Sequence, residues 1–422
     1  MTALAKSLHS RIDGPNGSLE VTCLSGTSAW ERIEADWRAL YGRCGLHTPF
    51  LHYDWMRTWW ECRSEPVKLD ILRVAENGIV IGIAPMMRRR QKLGFIAHDD
   101  LFFLTAYENP FSERAVSGSL DLLWDPAFDN RRVSFARYLL TETRGWRYLR
   151  LNPIPEASPT IPAFETVAAE LGLAVKTPWV LKNAVLTLEG DWESYFEGRS
   201  GKFRKNLRRA LRNLSENHAV AFREYRSEAD IDRAVEQMLA IEAASWKETR
   251  GFAIDDASLN RFYERIVRTF ARQGHLRLWV LMVDRRPVAY DLHLDVDGHV
   301  KTLKGSYAAE SGDYSPGSLL TWKATERFFA EGVREVDLLW GSLHYKEKWT
   351  NHLETQHGIY LRRNDLLSRV IARIYRSDRL RRLVGHRKPS RATGTDGAPD
   401  RRESQPGASP SRTDAIETGI SP

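Results

Sequence analysis

The chain has few cysteines and no long apolar run. Its 422 residues include 3 cysteines, Cys23, Cys44 and Cys62, which are widely spaced and have no histidines at metal-ligand spacing. This set excludes a disulfide framework and gives no zinc site, so we expect no metal and a reducing cytoplasm. No apolar stretch approaches the roughly 18 residues of a membrane span, and the N-terminus lacks the apolar region of a signal peptide. We therefore expect a soluble cytoplasmic protein, unless a surface helix holds it at the inner membrane.

Positive charge is concentrated in two segments. The formal net charge is +7, and much of the excess lies in residues 202–212 and 373–391. Arg204 and Arg208 lie one helical turn apart and form part of a cationic stripe. Its counter-charge is a donor phosphate, an anionic acceptor or RNA, unless the helix is simply solvated. Aromatic residues are not interleaved with these cations, so we expect no specific nucleic acid as a partner.

Two halves of the chain share one order of predicted elements: helices, a β-hairpin, a third strand, a turn, a helix and a further strand. Asn77-Gly78 and Asp297-Gly298 mark the hairpins and are strong turn signals. The repeat predicts an α/β (α+β) fold of two tandem copies, with mixed, mostly antiparallel sheets flanked by helices. The predicted segments are a frayed N-terminus (1–17), a first half (18–152), a connection (153–190), a second half (191–363), a basic amphipathic helix (364–387) and a disordered tail (388–422).

The stretch from Tyr314 to Leu319 follows three predicted strands and begins a predicted helix. A Pro-Gly pair at a helix start leaves backbone N–H groups unpaired at the positive end of the helix dipole. Such a position can seat a phosphate, although the same sequence is also that of an ordinary turn. The residues that we predict to bind a donor here are Tyr314, Ser315, Pro316, Gly317, Ser318 and Leu319.

Four side chains are candidates for acid–base work in a group transfer. Glu242 ends the apolar stripe of a helix, where its carboxylate faces either a cleft, as a base, or solvent. Tyr307 ends the third strand and Tyr345 follows the last one, so each either protonates a leaving group or packs in the core. Lys346 either pairs with a phosphate or an acceptor, or is an ordinary surface lysine.

Two buried strands carry further polar residues. Asp337 alternates with apolar residues, and a buried carboxylate is costly unless it is paired, so a structural partner or a substrate contact is implied. Asp291 and His293 share one face of the middle strand and could reach a cleft. For His293 we favour the role of a sheet residue with satisfied hydrogen bonds over that of a base.

The segment from Ser315 to Trp349 resembles the signature of a known family. It reads Ser315-Pro-Gly-Ser-Leu-Leu, then Gly332, then Glu335-Val-Asp-Leu-Leu-Trp-Gly341, then Tyr345-Lys346 and Lys348-Trp349. It is similar to the acetyltransferases of the cellulose-biosynthesis CelD (BcsL) type, which carry a BioF2-like acetyltransferase domain. These are relatives of the FemAB peptidyltransferases, within the GNAT superfamily. The basic stretch 203–212 and Glu242 with Ser245-Trp246-Lys247 extend the resemblance upstream.

The resemblance implies tandem GNAT folds, in which the pyrophosphate of an acyl-CoA lies at the start of a helix between two splayed strands. It implies acetyl-CoA or another acyl-CoA as co-substrate, and an amine or hydroxyl acceptor that is a small molecule or a glycan- or lipid-linked precursor. An acceptor in exopolysaccharide or cell-envelope biosynthesis fits the family. The substrate contacts that we predict are Arg204, Arg208, Trp246, Asp291 and Asp337.

Two other functions stay open. The turn has fewer glycines than most GNAT loops and no arginine, so the donor could differ, and the FemAB relatives use aminoacyl-tRNA. A non-catalytic accessory of a membrane polysaccharide synthase, held at the membrane surface by residues 364–387, is the second alternative. The equivalent place in the first half, 107–113, has two carboxylates and no glycine. We therefore predict that only the second half holds a donor.

Overall fold

A computed structural model of the chain describes residues 8–14, 17–93, 96–107, 115–245, 257–341 and 343–377. All of these described residues belong to one compact unit. The strands are β1 (Leu8–Gly14), β2 (Gly17–Ser25), β3 (Val67–Glu76), β4 (Ile79–Leu93), β5 (Ile96–Phe103), β6 (Leu123–Trp124), β7 (Trp146–Pro155), β8 (Ala174–Lys176), β9 (Val180–Thr187), β10 (Val220–Tyr225), β11 (Leu276–Val283), β12 (Arg286–Val296), β13 (His299–Tyr307), β14 (Glu335–Asp337) and β15 (Leu353–Arg362).

The helices lie on the faces of these strands. They are α1 (Ala29–Arg43), α2 (Tyr53–Cys62), α3 (Arg132–Thr141), α4 (Thr160–Glu170), α5 (Trp192–Glu197), α6 (Gly201–Asn217), α7 (Ile231–Ala243), α8 (Ala257–Arg272), α9 (Pro316–Ala330), α10 (Leu343–Lys346) and α11 (Leu366–Arg376). Short 3₁₀ turns cover Pro49–Leu51, Pro126–Arg131, Glu228–Asp230 and Ala309–Tyr314.

All of these strands join one sheet, as far as the described residues go. Its order is β1-β2-β3-β4-β5-β7-β15-β9-β14-β13-β12-β11-β10, with β6 beside β4 and β8 beside β15. Most neighbours are antiparallel, and the parallel pairs are β5 with β7 and β13 with β14. The predicted class, α/β with a mostly antiparallel sheet flanked by helices, is confirmed, although the two copies share one continuous sheet.

The predicted internal repeat is present in the order and direction of the strands. In the first copy, the antiparallel strands β3, β4 and β5 lead through α3 to β7, which is parallel to β5. In the second, β11, β12 and β13 lead through α9 to β14, which is parallel to β13. Both predicted hairpin turns form because Asn77 and Gly78, like Asp297 and Gly298, adopt the positive φ angles of a tight two-residue turn.

The two copies exchange their last strands. β9 follows the first copy in the chain but pairs with β14 of the second. β15 ends the second copy but pairs with β7 of the first, and it also pairs with β9, which joins the two sheets into one. The predicted connection at residues 153–190 thus contains α4, β8 and β9, and the strand β15 was not predicted. The frayed N-terminus that we predicted is wrong for residues 8–14, because β1 pairs with β2.

A shared core also holds the copies together. Leu339, just after β14, is 9% exposed and belongs to the same apolar cluster as Phe50 of the first copy. A side chain at Gly118 would collide with Leu339, because an added Cβ would lie 2.6 Å from its Cδ2. The ring of Trp55 on α2 packs edge-on against Phe262 on α8, with centroids 5.1 Å apart.

The predicted basic amphipathic helix begins as α11. Ile371 and Ile374 bury one face of α11 against Leu93 of β4, whereas Leu366 is 80% exposed. Contact of residues 364–387 with a membrane surface stays a prediction, and the predicted disordered tail 388–422 lies outside the described residues. No described helix is both long enough and apolar enough to span a bilayer.

Candidate active site

A wedge opens between β13 and β14. The two strands pair through three residues only, from His299–Glu335 to Lys301–Asp337. β13 runs on to Tyr307, whereas β14 ends at Asp337 and the chain turns away through Leu339, whose φ is +58°. The strands therefore diverge beside the start of α9, as in the splayed pair that the resemblance implies.

The predicted donor turn lies at the head of α9. Ser315 adopts a left-handed conformation (φ 54°, ψ 48°), and Pro316 is the first residue of α9. The N–H of Ser315 donates to the carbonyl of Gly312, and that of Leu319 donates to the carbonyl of Ser315. Both of these N–H groups are therefore used within the chain, and Pro316 has none. The two N–H groups that remain for an anion are those of Gly317 and Ser318.

The surroundings of these two N–H groups suit a ligand. No side chain caps the N-terminus of α9 in the described part of the chain, and an added Cβ on Gly317 would meet no atom within 4 Å. Helix α6, which carries the exposed cations Lys205 and Arg209, packs against α9 and against the turn Ala309–Tyr314. An anion at the turn would therefore meet the positive end of α9 and lie near a cationic helix.

Three polar side chains meet on the α9 face of the sheet. The hydroxyl of Thr321 donates to the Oδ2 of Asp291 across 3.3 Å, and its Oγ1 lies 2.5 Å from the Oη of Tyr345. Thr321 also contacts the carbonyl of Gly317, one turn earlier in α9, at 3.0 Å. Asp291 of β12 and Tyr345 of α10, both predicted site residues, are thus joined through Thr321, which was not among the predicted residues.

Burial sets the protonation of this cluster. Asp291 is 8% exposed, and desolvation raises its pKa to about 7. Burial, and then the charge of Asp291, raise the pKa of the Tyr345 phenol. Burial lowers the pKa of the neighbouring Lys346 ammonium to about 8, although Asp337 and Asp291 oppose the shift. Lys346 donates to the carbonyls of Leu339 and Trp340 and so holds the chain where it leaves β14.

Glu242 lies on the other face of the sheet. Its Oε1 accepts from the Tyr290 hydroxyl at 2.5 Å, and its Oε2 lies 3.0 Å from the Lys304 ammonium. Tyr290 and Asp291 are successive residues of β12, so their side chains point to opposite faces. The candidate base is thus an ion-paired carboxylate on the α7 face, separated by the sheet from Asp291 and Tyr345.

The remaining predicted residues are placed as follows. Asp337 is structural, because Asn183, Lys301 and the backbone of Leu339 all donate to its carboxylate. The ring of Tyr307 lies beside Gly312, since a Cβ added at Gly312 would be 3.5 Å from it. Leu319 is fully buried. The ring of Tyr314 lies 6.0 Å from that of His218.

The predicted basic residues of α6 make local contacts. Arg204 donates to the carbonyl of Arg199, and the guanidinium of Arg208 lies over the ring of Phe196 at 5.5 Å. Trp246 lies outside the described residues, as does most of the acidic stretch 107–113. Within the described ranges, no group of three or more His, Cys, Asp or Glu side chains is placed to hold a metal ion.

His293 is a buried sheet residue, as we favoured, but not all of its hydrogen bonds are satisfied, because its Nε2 is buried and has no partner among the described residues. Its Nδ1 lies 3.0 Å from the Thr302 hydroxyl, its ring packs edge-on against Phe328, and burial lowers its pKa to about 3. The residue that sequence reasoning missed is Thr321. Its spacing of four from Gly317 could have indicated it, since that spacing places it one helical turn beyond the donor turn.

Comparison with known protein families finds a match to part of the chain. Residues 201–347 match the family described as Acetyltransferase (GNAT) domain. The matched GNAT region contains the wedge, the donor turn and the Asp291–Thr321–Tyr345 cluster, and it ends just after Lys346. The narrower CelD type is not among these findings, and no curated protein matches the chain.

Solved structures extend the likeness to both copies. The crystal structure of FemX aligns with a TM-score of 0.55 and 10% identity, over 80% of this chain and 98% of that one. The C-terminal DUF2156 domain of a predicted lysylphosphatidylglycerol synthetase from Agrobacterium fabrum aligns with a TM-score of 0.50 and 12% identity, over 82% and 96%. A tandem GNAT protein from the clavulanic acid biosynthesis pathway has a TM-score of 0.42 and 14% identity, over 81% and 98%. Over both copies the fold is thus that of FemX and of the DUF2156 domain, and its second copy carries the GNAT-domain match.

Proposed function

We propose that the protein is an acyltransferase that moves an acetyl or longer acyl group from acyl-CoA to an amine or hydroxyl acceptor. The observation that carries the proposal is the uncapped start of α9, where the N–H groups of Gly317 and Ser318 border a wedge within a GNAT-domain match. The donor pyrophosphate binds these N–H groups, and the exposed cations of α6 attract it. The thioester then lies in the wedge between β13 and β14.

We place the two proton transfers of the proposed reaction on opposite faces of the sheet. Tyr345, on the α9 face, protonates the leaving thiolate. Glu242, on the α7 face, accepts the proton of the acceptor, which approaches from that side and contacts Trp246. Lys304 holds the Glu242 carboxylate in place through an ion pair of 3.0 Å, in which both side chains are largely buried. Lys346 positions the strand end that forms one wall of the wedge.

The acceptor that we propose is an exopolysaccharide or envelope precursor, free or linked to a lipid. The resemblance to the CelD type supports this choice. Arg204 and Arg208 lie on the helix next to the donor turn and would meet an anionic part of either substrate. Residues 364–387 would bring the enzyme to a membrane-bound acceptor at the inner membrane.

A thermal-shift series tests the donor. Acetyl-CoA, longer acyl-CoAs and free CoA should each raise the melting temperature, since a ligand at 100 times its dissociation constant stabilises a fold by about 2.7 kcal/mol. Gly317→Asp should abolish the shift, because its carboxylate enters the space beside the anion site. Gly317→Ala is the matched control, since the position is open, and it should keep the shift. No shift with any CoA ligand at millimolar concentration contradicts the proposal.

A second candidate is an aminoacyl-tRNA-dependent transferase. The likeness to FemX over nearly all of that chain and the cationic surface of α6 favour it. Charged tRNA should then bind with an affinity that falls steeply with salt, and the double variant Lys205→Ala/Arg209→Ala should weaken it. Binding of charged tRNA without any response to acyl-CoA would select this candidate over the first.

A further inference from the structure

We propose that Asp291 acts through Thr321 as the proton source that keeps Tyr345 ready to protonate the leaving group. This inference rests on the proposed acyl transfer and adds two positioning residues to it. The geometry is a continuous path from β12 through α9 to α10, with a 3.3 Å step from Asp291 to Thr321 and a 2.5 Å step from Thr321 to Tyr345.

The direction of the hydrogen bonds depends on whether Asp291 carries a proton. An ionised carboxylate only accepts, so Thr321 then donates to it and Tyr345 donates to Thr321. In that state the tyrosine proton points into the cluster. A protonated Asp291 donates to Thr321 instead, and Thr321 donates either to Tyr345 or to the Gly317 carbonyl at 3.0 Å. The Tyr345 proton is then free to face a thiolate.

Burial makes the protonated state available near neutrality. Desolvation raises the pKa of Asp291 to about 7, while Thr321 and Lys346 oppose the shift. Gly305 of β13 pairs with Asp291 of β12. A Cβ added at Gly305 would lie 2.3 Å from the Oδ1 of Asp291, so the Asp291 carboxyl occupies the space that a side chain at position 305 would need. Among the described residues, the charged or titratable groups around the carboxyl are Tyr345 and Lys346 from α10, Tyr307 from β13, and Tyr290 and His293 from β12. Helix α9 contributes Thr321, and β11 contributes the uncharged Trp279.

The transfer balances with these groups alone. The acceptor nitrogen or oxygen bonds to the acyl carbon, the carbon–sulfur bond breaks, and the electron pair stays on sulfur. The thiolate takes the proton of Tyr345, the phenolate takes that of Thr321, and Thr321 takes that of Asp291. Glu242 takes the proton of the acceptor and later releases it to solvent, and Asp291, which is left ionised, regains a proton from solvent. One acyl group moves and no oxidant or reductant is needed.

The test is steady-state release of free CoA from acetyl-CoA, with water and a panel of primary amines and alcohols as acceptors. Asp291→Asn and Thr321→Val should each lower kcat by about 10²-fold and leave KM for acetyl-CoA unchanged. Thr321→Ser should restore most of the rate. Thr325→Val, one turn further along the same face of α9, is the matched control and should keep the wild-type kcat.

The pH profile separates a proton source from a packing role. Wild-type kcat should fall as the pH rises through about 7, because the acid form of Asp291 is the active one. Asp291→Asn should lose this limb. A wild-type rate in Asp291→Asn or Thr321→Val, or a limb that survives in Asp291→Asn, overturns the inference.

Infrared spectroscopy tests the cluster even without turnover. The CoA-bound protein should show the C=O stretch of a protonated carboxyl at acid pH, which disappears as the pH rises. Asp291→Asn should remove this band, and Thr321→Val should shift it. A missing band overturns the relay, whereas a missing thermal shift with acetyl-CoA overturns the proposed donor. The two failures are therefore distinct.

Discussion

The two copies of the fold have the same strand order but opposite surroundings at the helix that follows the third strand. In the second copy, the sequence Ser315-Pro316-Gly317 begins α9, and no side chain caps it in the described residues. In the first, Asp125-Pro126-Ala127 begins the 3₁₀ turn that leads into α3. There, the Asp125 carboxylate accepts from the Ala127 N–H at 3.1 Å. The first copy thus places its own carboxylate where the second leaves N–H groups for an anion.

The wedges differ as well. Beyond the β5–β7 pairing of the first copy, the side-chain amide of Asn152 donates to the carbonyl of Tyr107 at 2.7 Å. The N–H of Leu120 donates to the carbonyl of Pro153, which ties a further segment across the same place. Two hydrogen bonds between protein groups therefore lie beyond the point where β5 and β7 stop pairing. The two copies thus share the order and direction of their strands, whereas the side chains and hydrogen bonds beside the wedge differ.

The largest effect should come from removing a strand that the copies exchange. A chain that stops after His352 lacks β15, whose Ile359 and Leu361 are buried in the core cluster. β7 and β9 would both lose a neighbour, so we expect loss of cooperative unfolding in circular dichroism and aggregation on expression. A chain that stops after Arg387 is the control and should fold. A compact 1–352 fragment with a sharp thermal transition would mean that the exchange is dispensable.

The contact between the copies should show strong coupling. Leu339→Ala should cost about 2–5 kcal/mol of unfolding free energy, because it leaves a cavity in the shared core. Gly118→Ala should cost about 1–3 kcal/mol through the clash with Leu339. The double variant should cost less than the sum, since the smaller residue makes room for the added methyl. Chemical denaturation measures all three, and strict additivity would contradict the contact.

An Asp→Asn substitution at one buried carboxylate of each copy should change the free energy of unfolding in opposite directions. Asp100 of β5 pairs with Arg150 at 2.7 Å, so Asp100→Asn leaves a buried cation and should cost about 3–5 kcal/mol. Asp291 has a pKa of about 7 in the fold against an ordinary value of 3.8. Its raised pKa stabilises the fold at low pH, and this contribution is lost as the pH rises from 3.8 through 7.

Asp291→Asn removes that dependence. Above neutrality it should be more stable than the wild type by on the order of 2–4 kcal/mol, and at acid pH the difference should vanish. Urea unfolding on both sides of neutrality measures it. Equal pH dependence of the two proteins would show that Asp291 ionises as an ordinary carboxyl.

The smallest effect should come from giving the start of α9 the carboxylate that the first copy has at Asp125, and the quantity that changes is the affinity for acetyl-CoA. Ser315→Asp copies the first-copy carboxylate and should weaken acetyl-CoA binding about tenfold, or about 1.4 kcal/mol, by competing for the Gly317 N–H. Ser315→Asn, which caps without charge, should weaken it less. Asp125→Ser in the first copy should leave acetyl-CoA binding unchanged. Isothermal calorimetry distinguishes these outcomes, and an unaltered affinity in Ser315→Asp would place the phosphate elsewhere.

Local features of the fold were predictable, and non-local ones were not. The hairpins at Asn77-Gly78 and Asp297-Gly298 and the start of α9 follow from the conformations that a few adjacent residues favour. β15 carries apolar residues, but its place between β7 and β9 depends on partners far away in the chain. No periodicity in residues 353–362 encodes that choice.

The candidate site shows the same limit. The sequence placed Asp291 on one face of the middle strand and Tyr345 after the strand that begins at Glu335, and both lie there in the structure. It could not show that Thr321 joins them, since the spacing of Thr321 from Gly317 gives its turn of the helix but not its partners. It also grouped Glu242 with Tyr345, although a β-sheet separates them. The alternation of side chains along a strand tells on which face of the sheet each residue lies. Only the packing of the helices shows which residues of different elements meet on that face.

The exchange of last strands also constrains how the chain is made. β7 ends at Pro155, and β15, its neighbour in the sheet, begins only at Leu353. During synthesis, β7 of the first copy therefore has no β15 beside it until almost the whole second copy has left the ribosome. Such long-range pairing slows folding, and an open edge invites other chains to pair with it. The step most exposed to chaperones and to misfolding should thus be the arrival of the final strand.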